Sequence, residues 1–141
     1  MTTGSYSTHA QNLRVHVNQN FSTAPVQFPN TQTFNRPSDS EWVRMLILES
    51  SESFAADMAD KPRFRFPGIL LFECFTPVGQ GDGPIRDIVD ELAGLFRQVT
   101  IGNTRFETPG VNTVGVLDTG DWYKMNVTCP YERDIIDFDN D

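Results

Sequence analysis

The residues most open to chemistry are gathered at Gly79-Gln80-Gly81-Asp82-Gly83, directly before a segment with helical spacing. Glycine-rich turns at helix starts hold phosphates, because backbone N–H groups converge there and the helix dipole favours anions. This turn lacks what that chemistry needs. The phosphate-loop pattern ends in Gly-Lys-Ser/Thr, which does not occur here. The dinucleotide fingerprint sets its third glycine inside the helix start of a parallel βαβ unit, and neither spacing nor context fits. Asp82 also places a negative charge where a phosphate would sit. The segment is read as a flexible turn.

Other reactive residue types give similar answers. Asp137, Asp139 and Asp141 imitate the D-x-D-x-D opening of a calcium loop, but no turn glycine or closing bidentate Glu follows. A solvated acidic tail is the simpler reading. His9 and His16 stand seven residues apart, whereas a helical metal pair needs a spacing of about four or further ligands. They are read as two partly exposed helix histidines. Cys74 and Cys129 lie in apolar strand-like runs, away from the helix starts that favour a thiolate. They are read as buried thiols rather than a disulfide. No G-x-S-x-G motif occurs, and Asp87, Asp90 and Glu91 share a polar helix face. An enzyme, a metal site and a cofactor site are not expected.

Aromatic and basic residues are more informative. Trp42, Phe64, Phe66, Trp122 and Tyr123, with Arg44, Arg63 and Arg65, exceed what a small sheet must bury. Aromatics and Arg are enriched at protein–protein interfaces. The composition agrees: 141 residues is a common size for one domain, and a net charge of −8 opposes gripping a phosphate backbone. The first residues, MTTGSYSTHAQNL, do not read as a signal peptide, and no run reaches the ~18–20 apolar residues of a membrane span. A soluble protein made inside the cell is the default expectation.

These residues need elements to position them. Pro67 to Val99 gives a strand, the glycine turn and an amphipathic helix in succession. Gly68 to Phe75 is apolar except for Glu73, and Pro77 closes the run. Pro84 suits a first helical turn, and Asp82 or Gly83 can cap it. Ile85, Ile88, Val89, Leu92, Leu95, Phe96 and Val99 then recur at spacings of three and four, predicting one buried helix face. Upstream, Tyr6, Ala10, Leu13, Val17 and Phe21 predict an N-terminal helix. Residues 22–40 read as a long loop with a short strand at Val26–Phe28, in which Phe34 and Arg36 could touch a partner. Glu41–Glu49 is a strand, apolar on both faces, so both are covered or one becomes covered on assembly.

Ser53–Asp60 is either a continuing strand or a hairpin arm, and Asp60-Lys61-Pro62 a turn. Thr104–Glu107 and Val111–Leu117 are strands, the latter followed by a tight turn at Asp118–Asp121. Trp122–Tyr131 alternates as a half-buried antiparallel strand. Residues 134–141 read as an acidic tail that frays, after one domain over 1–133. The fold class expected is α+β: a twisted, mainly antiparallel sheet with two helices packed on one face.

Taken together, EWVRMLILES, GILLFECFTPVGQGDGP, IRDIVDELAGLFRQ, RFETPGV and DWYKMNVTCPYER, in that order, resemble the tail terminator proteins of long-tailed bacteriophages. The resemblance spans residues 5 to 133. It implies a structural virion subunit without catalytic residues or cofactors. Such subunits form a six-membered ring that caps the tail tube, ends its polymerisation and joins head-completion or neck proteins at the tail–neck junction, with DNA passing through unbound. Another neck component, or a small ligand-binding domain, is the alternative. The residues expected at an assembly interface are Arg36, Trp42, Arg44, Phe64, Arg65, Gly81, Asp82 and Trp122. Asp118 and Asp121 are expected to face the channel and keep DNA from sticking.

Overall fold

A computed structural model describes residues 6–31, 34–50, 53–58 and 61–136, with the backbone alone at 53–58, 61–63 and 136. The elements in chain order are α1 (Tyr6–Asn20), β1 (Val26–Gln27), β2 (Trp42–Glu49), β3 (Ser53–Met58), β4 (Lys61–Pro77), α2 (Gly83–Phe96), β5 (Thr100–Ile101), β6 (Thr104–Phe106), β7 (Gly110–Val116) and β8 (Trp122–Ile136). They form the expected α+β architecture, a single sheet of eight strands. Every pairing is antiparallel except the short β1–β2 contact.

Two long strands carry the sheet. β4 and β8 pair continuously from Arg63↔Ile136 to Pro77↔Trp122. β2 and β3 follow one another along the far edge of β4, and β7 and β6 do the same along β8. Strand alternation sorts the side chains. Val43, Met45, Leu70, Phe72, Cys74, Met125, Val127, Cys129 and Tyr131 face the helices and are buried. Leu13 and Val17 of α1 and Ile85, Ile88, Val89, Leu92, Ala93 and Phe96 of α2 cover them. Each such Val, Leu, Ile, Met or Phe side chain stabilises by about 1.5–3 kcal/mol when fully buried. The two helices meet where the His16 ring lies 5.1 Å from the Phe96 ring and its Nε2–H donates to the Leu95 carbonyl.

Several expectations change. β4 does not begin at Gly68: Lys61 and Pro62 open it, and Ser53–Met58 is a hairpin arm on it. Gly68 is required by proximity, since a Cβ there would collide with the Tyr131 ring and the Leu48 carbonyl. Residues 134–136 do not fray but complete β8. Ile135 is buried, and Asp134 pairs with Arg65 at 3.1 Å and Arg105 at 3.2 Å. Those partners hold the Asp134 carboxyl below its ordinary range, the Arg65 hydrogen bond first. Asp60 and Asp137, Asp139 and Asp141 lie outside the described residues.

His9 is not partly exposed but buried. It shares a 3.1 Å hydrogen bond with Thr104 Oγ1 and packs 4.9 Å from the Tyr131 ring. Burial first, and the Arg133 charge second, lower its pKa to about 4. Arg133 is itself buried, its guanidinium 4.8 Å from the Tyr6 ring and 4.6 Å from the Phe66 ring. Cys74 and Cys129 are free and buried, with both thiols pushed up to about 12, chiefly by burial.

Candidate assembly site

Neither helix covers the second face of the sheet. Its alternation brings up Trp42, Arg44, Leu46 and Leu48 from β2, Ile69, Leu71, Glu73 and Phe75 from β4, and Lys124 from β8. The register Trp42↔Phe75↔Lys124 and Arg44↔Glu73 concentrates aromatics and charges at one end. There the Trp42 ring stacks on Phe75 at 4.2 Å and 10°. Trp122 meets it edge-on at 6.2 Å, and Phe34 lies at 5.9 Å. Arg36 and Arg44 stand 5.4 and 5.5 Å from the same ring, within cation–π reach. Glu73 accepts from Arg44 at 3.1 Å and from Lys124, so the one charge in an apolar run anchors two cations.

Trp42 is 1% exposed. Its partners within the chain already cover it, so a neighbouring molecule would meet the rim of the cluster: Arg36, Arg44 and Trp122. Phe66 is also buried, whereas Phe64, Trp122 and Tyr123 are half-buried.

The connecting turns extend this end. Val78 N–H donates to the Asp121 carbonyl at 3.2 Å, tying the glycine turn to Asp118–Asp121. A cleft of about 210 Å³ opens between Pro77, Val78, Gly81, Asp82, Val116 and Tyr123. Another of about 330 Å³ lies between Arg36, Pro37, Ser38, Asp121 and Trp122. Gly79 and Gly81 have φ of +97° and +73°, the left-handed region that favours glycine. Asp82 makes no side-chain capping bond. Its carboxylate takes the Arg86 Nε–H at 2.7 Å, which lowers its pKa.

Eight expected site residues therefore gather at one end of the molecule: Arg36, Trp42, Arg44, Gly81, Asp82, Asp118, Asp121 and Trp122. Phe64 and Arg65 do not join them. They lie ten and eleven residues back along β4 from Phe75, Arg65 nearer, roughly 33–36 Å at strand rise. Arg65 is engaged there with Asp134. Sequence reasoning missed Phe75 and Lys124 as members of the cluster. Their signal is the β2–β4–β8 register, which spacing along one strand cannot reveal. Chemically, the site offers stacking, cation–π and charged contacts. Among the described residues no group of three or more His, Cys, Asp or Glu is placed to hold a metal ion.

The sequence model of the phage tail terminator protein matches residues 9–131. The chain belongs to the phage tail terminator family. It is thus a structural protein of the phage tail, in a family that is not an enzyme class, and its place is the virion. Like other phage tail components, a tail terminator acts in contact with its neighbours in the tail. No curated protein matches the sequence. Fourteen chains among solved structures do match. One of them aligns at a TM-score of 0.62, covering 87% of this chain and 94% of that chain at 18% identity. At that identity the likeness concerns the fold. Among the described residues no helix is long and apolar enough to cross a membrane.

Proposed function

We propose that this chain caps the tail tube as a hexameric ring, stops tube polymerisation, and presents the surface on which head-completion or neck proteins dock. DNA passes through the ring without specific binding. The observation that carries this reading is the family match over residues 9–131. The helix-free face supports it. Leu46 and Leu71 are half-buried there, while Leu48 and Ile69 are 47% and 37% exposed, and contiguous exposed apolar surface of this kind marks interaction sites.

In this reading Arg36, Arg44, Gly81, Asp82 and Trp122 form a contact surface at one end of the subunit, built on Trp42. Phe64 and Arg65 belong to a separate contact at the other end. Exposed Asp118 and Asp121 face the channel and repel the DNA backbone.

Loss of the gene tests the reading. Particles of the phage that encodes it should then carry overlong or headless tails, and supplying the wild-type chain should restore them. Tails of normal length joined to heads after deletion would contradict it.

A further inference from the structure

We propose that β7 is the strand through which one copy joins the next, its Gly110–Thr113 half adding antiparallel to the free Met45–Glu49 edge of a neighbour's β2. The inference rests on the ring reading above and specifies its subunit contact.

β7 is unusual for an edge. It pairs with β8 on one side and, among the described residues, with nothing on the other. Its sequence, GVNTVGV, holds no charged residue and no proline. Val111, Val114 and Val116 are 47%, 47% and 55% exposed. Protein edges are normally guarded by Lys, Pro, inward charge or a bulge, because an unpaired row of N–H and C=O groups templates another strand. The bulge between Thr113 and Gly115 ends the regular stretch, leaving Gly110–Thr113 as the usable length.

The opposite margin of the same sheet supplies the partner. β1 pairs with β2 only at Val43 and Arg44, so Met45–Glu49 has no described strand on that side. Directions also match. β2, β4, β8 and β7 alternate, so β2 and β7 run oppositely. A neighbour rotated onto the β7 edge, with its helices on the same side, meets it antiparallel, the more stable pairing. The contact joins two different patches of one chain, as a heterologous interface must, and repeating one rotation can close it into a ring. A second copy fits this edge because both unpaired margins belong to one sheet and one operation pairs them.

Cross-linking and sedimentation test the contact. Asn112 of β7 and Leu46 of β2 both lie on the helix-free face, and pairing Gly110–Thr113 within Met45–Glu49 with that face kept sets them opposite each other. A mixture of Asn112→Cys and Leu46→Cys chains should form a disulfide-linked dimer under mild oxidation, and neither variant alone should. The native thiols are buried and do not compete. The double variant Val111→Lys/Val114→Lys should keep its circular dichroism and Tm but weaken self-association at least tenfold by sedimentation. Cross-linking of Asn112→Cys with itself would mean two β7 edges back to back, which cannot build a ring, and would overturn the proposal. So would Lys variants that form rings as readily as wild type, or a wild-type chain that stays monomeric at high concentration. Rings that persist without these contacts would leave tail capping standing and refute only the β7 joint.

Discussion

His9 connects stability to pH. Its imidazole is held neutral to about pH 4 in the folded chain, whereas an unfolded histidine takes its proton near 6.5. Between those values the unfolded state binds more protons, so stability falls as pH drops from about 6.5 to about 4, by about 3 kcal/mol in full. Asp134 acts lower: its folded pKa is depressed, so its contribution is lost only as pH falls through the acid range below 3.8. Chemical denaturation of wild type and His9→Phe across pH 4–7 checks this. The variant should lose most of the slope in that window, and an unchanged slope would assign it elsewhere. Gly68→Ala should destabilise by about 1–3 kcal/mol, because the added methyl meets the Tyr131 ring and the Leu48 backbone. A Tm equal to wild type would contradict that packing. Neither site was legible in sequence. His9 sits at helical spacing among polar residues, and its burial comes from β6 and β8, 95 or more positions along the chain. Gly68 looked like any strand glycine until Tyr131 was laid across it.

At the scale of elements, the glycine turn separates two kinds of glycine. Gly81 has φ +73° and open space around it, so its constraint is backbone conformation. Gly81→Ala should cost about 1–2 kcal/mol. Gly83 has ordinary φ and equally open space at the start of α2, so Gly83→Ala should be neutral or stabilising by up to about 1 kcal/mol. Thermal unfolding of both variants reads the difference, and equal losses would refute it. Both helices, the glycine turn and the alternating strand of β8 were legible, because period and turn chemistry are local signals. The 17-residue β4 was not: Pro62 and Pro67 look like stops but sit within the paired length of the strand. The end of β8 was missed for a related reason. Asp134 looks solvated until pairing sets it beside Arg65 and Arg105.

At the scale of the whole molecule, one sheet face is closed by helices and the other is left with exposed Leu48 and Ile69 between two charged ends. That division explains why residue types enriched at interfaces stood out in the sequence while their grouping did not. Eight of the ten expected residues meet at one end because three strands and two turns converge there, which only topology could show. If the proposed function holds, such subunits close into a ring at the end of the tail tube. Cryo-electron microscopy of the intact particle tests it most directly. One closed ring of six copies of this chain should appear at the head-proximal end of the tube, between tube and neck. Copies repeated along the tube, or none at that junction, would contradict it.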